Sequence, residues 1–248
     1  MRRNVLITGA SSGLGEGMAR VFAARGHNLA LCARRSERLE KLRAELEGEH
    51  PGITVAVRVL DVNDHPQVFE VFDALHAELG GLDRIVVNAG VGKGARVGSG
   101  RFSVNAETAQ TNFVGALAQC EAAMEILNAA GAGHLVVVAS IQAVRGFPGA
   151  MATYAASKAG VAALAEGIRC DVVGTPIKVT TLLPGYIRSE MTAGARGAPF
   201  MVDNETGSRA LVEAIEKEAA TAAVPPWPWR LVGPVLRVLP RSVVRRIV

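Results

Sequence analysis

The amino-acid sequence predicts an α/β chain, a doubly wound parallel sheet between two layers of helices. Three observations carry that expectation. Short β-branched runs alternate with helical patterns through most of the chain, which is the rhythm of βαβ units. Two of the runs, Ile85-Val86-Val87 and Val136-Val137-Val138, are apolar without interruption, as strands covered on both faces should be. The 248 residues include 27 glycines but only 4% aromatics, which suits a parallel sheet with tight turns better than a β-sandwich.

Val5-Leu6-Ile7-Thr8 is the first expected strand, and a glycine-rich turn leads from it into a helix over 14–25. A strand over 28–33 and a helix over 36–46 make the second unit, and a strand over 54–60 and a helix over 66–79 the third. The two apolar runs give strands over 84–88 and 135–140, with a long helix over 107–130 between them. A helix over 153–173 and a strand over 177–183 follow. No linker or low-complexity stretch divides the chain. One domain is expected over 1–223, followed by a basic tail over 224–248 that holds both tryptophans and several prolines.

Composition excludes several classes. Hydrophobic residues make up 49% and charged residues 20%, which is too apolar for a disordered chain. The net charge of +4 is unevenly placed. Between 219 and 248 there are five arginines (Arg230, Arg237, Arg241, Arg245, Arg246) and no acid, so the remainder has 22 basic against 23 acidic residues. A nearly neutral body argues against a nucleic-acid enzyme, which needs a basic face there. Cys32, Cys120 and Cys170 stand singly, without metal-ligand spacing, so a reducing compartment and no metal are expected. The first apolar stretch ends at Thr8-Gly9, too short for a signal peptide, and no apolar run approaches the ~20 residues of a membrane span. A cytoplasmic chain is expected.

In sheets of this kind ligands bind outside the carboxyl ends of the strands, so the residues just past each strand are the candidates. After the first strand comes Thr8-Gly9-Ala10-Ser11-Ser12-Gly13-Leu14-Gly15. Its glycines allow a tight turn and close approach to a pyrophosphate, and the helix that follows offers free N–H groups and a positive dipole end. A plain strand-to-helix turn is the alternative, but it would not require three glycines. The second strand ends in Arg34-Arg35, where an NAD enzyme would place an acid for the ribose 2′-hydroxyl. Two arginines there would instead grip a 2′-phosphate, favouring NADP(H) over NAD(H), unless they merely cap a solvated turn. Asp61, followed by Val62, stands where a carboxylate would accept from the adenine amino group, and Asn88-Ala89-Gly90 would let the backbone pass close to the adenosine ribose.

Tyr154 and Lys158 are four apart on an expected helix and therefore share a face. A tyrosine ordinarily titrates near 10, and a neighbouring ammonium would bring it toward neutrality. Ser140 ends the fifth strand at the same rim, and Asn112 lies in the long helix before it. Singly these are a common helix pair, a loop serine and a solvated asparagine; their joint placement at one rim points to chemistry.

These motifs, taken in order, are specific. The chain resembles the short-chain dehydrogenase/reductase superfamily over roughly residues 4–192, in TGASSGLG at 8–15, Asp61-Val62, NAG at 88–90, Asn112, Ser140, Tyr154 to Lys158 as YxxxK, and Pro184-Gly185. The resemblance implies a Rossmann-type fold and interconversion of a ketone or aldehyde with an alcohol. Tyr154 would be the general acid and base. Lys158 would hold the nicotinamide ribose hydroxyls and lower the Tyr154 pKa. Ser140 would orient the substrate oxygen, and Asn112 would support a water in a proton relay. Gly9, Ser11, Ser12, Gly13, Leu14 and Gly15 would form the cofactor turn. Pro184, Gly185 and Ile187 would run beside the nicotinamide, with Ser189 where family members often carry threonine. A cofactor-binding protein without turnover is the alternative, but such proteins often lose the tyrosine or lysine kept here.

The chain departs from the family at its end. Many members finish with a strand bearing Asp-Gly-Gly that builds a tetramer; nothing like it occurs here, so a homodimer paired by the two long helices is preferred to a homotetramer. In the tail, Arg237, Arg241 and Arg245 recur every four residues, with Leu236, Leu239, Val243, Val244 and Ile247 between them, and Pro234 and Pro240 are expected to open short helical pieces. Such a tail reads either as an anchor on an anionic membrane surface or as a segment that packs on the body and closes the substrate pocket. A loop over 187–204, with Gly194, Gly197, Pro199, Phe200 and Met201, is expected over the substrate. Val144, Phe147 and Met151 would make the pocket apolar, suiting a hydrophobic substrate.

Overall fold

The computed structural model describes residues 2–194 and 198–247, without the Ile247 side chain. Gly197 of the expected substrate loop and the Ile247 side chain of the expected tail face therefore lie outside the described residues.

The strands β1 (Asn4–Thr8), β2 (Asn28–Ala33), β3 (Val55–Val59), β4 (Arg84–Val87), β5 (Gly133–Val138), β6 (Ile177–Pro184) and β7 (Thr221–Val224) form one parallel sheet in the order β3-β2-β1-β4-β5-β6-β7. The order reverses between β1 and β4, which opens the crevice where such sheets bind ligands. In register, Leu6 lies beside Ala30 on one side and Ile85 on the other.

Side chains alternate across each strand, and both faces are covered. Leu6 and Ile85 face a core completed by Phe72 of α3 (His65–Glu78), Leu127 of α5 (Gly115–Ala130) and Val161 of α6 (Ala152–Asp171). Val5 and Ile7 face the other way, onto Met18 and Phe22 of α1 (Gly13–Ala24), Leu42 of α2 (Ser36–Glu49) and Leu211 of α7 (Asn204–Glu216). Each such large side chain, fully buried, stabilises the fold by ~1.5–3 kcal/mol.

Three features differ from the expectation. The long helix starts earlier, as α4 (Phe102–Ala109), and passes through a π-helical turn (Gln110–Val114) before α5. The sheet has a seventh strand, β7, and helix α7 leads to it. The start of α7 is fixed by Asp203, whose carboxylate accepts from the Thr206 N–H at 2.7 Å. The expected tail boundary falls within β7, because Val224 pairs with Pro184.

The tail is α8 (Pro226–Val238) and α9 (Arg241–Ile247). Pro234 lies inside α8 and does not open a new piece, whereas Pro240 does precede α9. Trp229 and Leu236 pack on Ile141, Phe147 and Ala155. Arg145 locks this docking, donating from Nη1 to the carbonyls of Leu236 and Leu239, each at 2.7 Å.

Candidate active site

A cavity of about 550 Å³ runs along the carboxyl rim of the sheet, within the ~300–1,000 Å³ of ligand pockets. Every residue expected to be catalytic or to hold a cofactor lines it except Gly15 and Asn112; of the expected substrate loop, Ile187, Ser189, Glu190, Met191 and Thr192 line it, whereas Gly194, Pro199, Phe200 and Met201 do not.

The glycine turn has the shape a dinucleotide needs. Gly9 sits at φ +65°, and a Cβ on it would come within 2.9 Å of the Ala89 Cα. Gly15 stands behind the turn and not in the cavity; a Cβ there would lie 2.4 Å from the Gly9 carbonyl oxygen. Its role is to let helix and turn close on each other. Ser12 is extended at the start of α1, and no side chain caps the helix, so its first N–H groups remain available to an anion. Thr8 couples this turn to β4: its hydroxyl accepts from the Asn88 N–H (2.9 Å) and the Ala89 N–H (3.0 Å), and the Asn88 side-chain amide donates to the Thr8 carbonyl at 2.8 Å. The Asp61 carboxylate accepts from the backbone and side-chain amides of Asn63, at 3.0 and 3.1 Å.

At the chemical end, Ser140, Tyr154 and Lys158 line the same wall. Ser140 lies two residues beyond β5, its hydroxyl accepting from the Gln142 N–H at 3.1 Å. Lys158 is buried and donates from Nζ to the Val138 carbonyl at 2.8 Å, leaving two of its three N–H groups free. Burial lowers its pKa to about 8. Burial also raises the Tyr154 pKa, against which a hydrogen bond with Ser140 pulls downward. The expected lowering of Tyr154 by Lys158 does not hold in this arrangement, because the lysine points to Val138 and desolvation of the phenol outweighs the rest.

Asn112 is neither solvated nor in the cavity. It occupies the π-helical turn, is buried, accepts from the Val91 N–H (2.8 Å) and donates to the Val91 carbonyl (2.9 Å) and the Ser157 hydroxyl (3.3 Å). A Cβ on Gly90 would lie 3.0 Å from Asn112 Oδ1 and 3.5 Å from Lys158 Nζ, so the three stand together. Inserted residues of this kind in a helix are frequent where a side chain must be aimed.

At the opposite end Arg34 and Arg35 are exposed. Arg35 is already engaged: it donates to the hydroxyls of Ser11 (3.1 Å) and Ser12 (2.5 Å) and pairs with Glu190 at 3.0 Å. Arg38 pairs with the same carboxylate at 2.6 Å. Their hydrogen bonds hold the Glu190 pKa down at about 2. Neither Arg38 nor Glu190 was found by sequence reasoning; Glu190 lies 155 residues from Arg35 and belongs to no motif.

Ile187 is buried and bridges to Val202, and the Ser189 N–H donates to the Thr192 hydroxyl at 2.8 Å. Gly185 meets a requirement not foreseen, since a Cβ there would sit 2.0 Å from the Trp229 indole nitrogen. The tail thus packs behind Gly185, which lines the cavity, with Tyr186 and Phe200 packed edgewise on Trp229 at 5.8 Å. Val144, Phe147 and Met151 do not line the cavity as expected; they pack beneath the tail with Trp229 and Leu236. Among the described residues no cluster of three or more His, Cys, Asp or Glu side chains could hold a metal.

The cavity combines a strand-to-helix anion turn, a serine, and a tyrosine with a lysine one helical turn away, a pattern that defines a class of nicotinamide-dependent oxidoreductases. Residues 3–199 match the family model described as short chain dehydrogenase. The chain belongs to that family and is an oxidoreductase acting on CH–OH groups with a nicotinamide dinucleotide. It is 55% identical over 245 residues to an uncharacterized oxidoreductase of Mycobacterium tuberculosis, covering 99% of this chain and 97% of that one. Its fold is similar to the crystal structure of levodione reductase, with a TM-score of 0.84, 25% identity, and coverage of 93% and 98%. It is also similar to an alcohol dehydrogenase of Thermococcus sibiricus complexed with 5-hydroxy-NADP, with a TM-score of 0.79, 27% identity, and coverage of 89% and 94%.

Proposed function

We propose that the chain is an NADP(H)-dependent oxidoreductase that interconverts a hydrophobic ketone or aldehyde and its alcohol, with Tyr154 as general acid and base. The observation that carries this reading is the single cavity, with Ser140, Tyr154 and Lys158 at one end and the Ser11, Ser12, Arg34 and Arg35 cluster at the other. A nicotinamide dinucleotide held there would supply the hydride that is exchanged with the substrate carbon.

The chain's own groups do the rest. The Ser140 hydroxyl donates to the substrate oxygen and fixes its position. Tyr154 hands its phenolic proton to that oxygen as alcohol forms and takes it back in the reverse direction. Burial keeps the phenol protonated, the form that reduction requires. Lys158, held on the Val138 carbonyl, has two N–H groups that would hold the ribose hydroxyls of the cofactor, and Asn112 fixes the Val91 backbone.

Glu190 deepens the cofactor reading. Its carboxylate faces Arg35 and Arg38 as an internal substitute for a phosphate. A 2′-phosphate carries more charge and more acceptor oxygens, so it would displace Glu190, with Arg35 and Arg38 as the residues that would hold it. These pairs are exposed and individually weak, which makes the exchange easy. Two copies are inferred to associate through the α4–α5 and α6 faces; a monomeric mass by light scattering would contradict that pairing.

The test of the chemistry is Tyr154→Phe. Turnover should fall by about 10²–10⁴-fold while NADPH affinity stays near wild type. Unchanged turnover would overturn the assignment.

A further inference from the structure

The tail is apolar on two opposite sides. In α8, Trp229, Gly233 and Leu236 face the body and are buried. Leu231, Val235 and Val238 follow the same spacing two residues later, about 200° around the helix, and face solvent. They are 60%, 53% and 81% exposed, and Trp227, whose backbone is extended within the first turn of α8, is 74% exposed. Alongside this stripe stand exposed Arg230, Arg237, Arg241, Arg245 and Arg246, with no acid anywhere in residues 219–248.

The inner side is already used, so the outer stripe has no partner within the described residues. Its chemistry decides what fits. A second copy of the same surface would bring arginines against arginines with no acid to pair them, which like-charge juxtaposition disfavours. An anionic lipid surface satisfies both components at once, with tryptophan and aliphatic side chains in the headgroup region and arginines on the phosphates.

We propose that the outer face of α8 and α9 docks the enzyme on an anionic membrane surface. The docking rests on the tail alone. Because the opposite face of the same helix seats Trp229 over Gly185, docking also sets the reaction end of the cavity beside the bilayer. Taken with the hydrophobic-substrate reading above, the ketone or alcohol is one dissolved in lipid.

The experiment is co-sedimentation of the full chain with vesicles of phosphatidylcholine alone or mixed with phosphatidylglycerol, read together with tryptophan emission. Both tryptophans lie in the tail, so emission reports on it directly. The protein should partition onto the anionic vesicles, shift its emission to the blue, and release as salt rises. The surface variants Trp227→Ser with Leu231→Ser, and separately Arg237→Glu with Arg241→Glu, should each weaken partition by roughly tenfold while NADPH binding in solution is unchanged. Folded protein that ignores anionic vesicles at low salt would overturn the proposal. So would equal partition of the variants, or a dimer that the same substitutions dissociate. Vesicle binding is read without turnover, so its failure and failure of the catalytic reading are distinguishable.

Discussion

The two ends of the cofactor cavity are built by opposite means. At the reaction end the working groups are desolvated and held by regular elements: Lys158 is buried on α6 against the Val138 carbonyl, and Asn112 is buried in a π-helical turn. At the end proposed for the adenosine the groups are exposed and held by one another, with Arg35 and Arg38 sharing the Glu190 carboxylate. Burial shifts pKa values and fixes geometry, which is what proton transfer requires. Exposure leaves charges exchangeable, which is what admission and release of a phosphate require. The same contrast runs through the tail, whose inner face is packed and whose outer face is free to meet a partner.

This comparison can be broken most sharply by substituting at both ends and reading both outcomes. Tyr154→Phe should affect turnover alone, whereas Arg35→Ala should weaken NADPH by about ten- to a hundredfold, the worth of charged hydrogen bonds, with little change in NADH affinity. Equal loss of both cofactors in Arg35→Ala would remove the phosphate role. Gly185→Ala forces a Cβ into the Trp229 indole and should cost about 1–3 kcal/mol, a melting shift of roughly 2–12 °C. An unchanged melting temperature would show that the tail is not seated there. Glu190→Gln should tighten NADPH a few-fold and leave NADH alone, since it removes the competing carboxylate. If NADPH is preferred but this variant changes nothing, the clamp stands and the exchange with Glu190 does not.

The smallest effect is in pH. The Lys158 pKa falls from the usual lysine range to about 8 in the folded chain. Between about 8 and 10.4 the unfolded state therefore binds more protons, and this residue's contribution rises with pH. Denaturant unfolding should show the stability advantage of Lys158→Met over wild type shrinking across that window. An advantage independent of pH would place the lysine in a wetter site. Tyr154 gives the complementary sign: with its phenol raised, alcohol oxidation should climb toward alkaline pH while reduction needs no such climb.

How far the sequence alone reaches follows from the range of the contacts. Tyr154 and Lys158 are legible because one helical turn separates them, and the glycine turn because three glycines between strand and helix have few other uses. β7 was missed because Thr221-Ala222-Ala223-Val224 is short and half alanine, with weak strand propensity. Helix α7 had a readable start, Asp203 three residues before Thr206, that was absorbed into an expected loop. Glu190 and Trp229 were beyond reach: each acts on a residue far away in sequence, Arg35 and Gly185, and only the fold brings them together. The same holds for Val144, Phe147 and Met151, whose apolar character fits a pocket wall or a buried layer equally well until the tail is seen to cover them.

The most direct test of the central claim is a parallel titration of the purified protein with NADPH and NADH, followed by the fluorescence of Trp227 and Trp229. NADPH should bind at least about tenfold more tightly than NADH, and Arg35→Ala should abolish the difference. Equal or reversed affinities in the wild-type protein would contradict it, and would make Arg34 and Arg35 a solvated turn beside an NAD site.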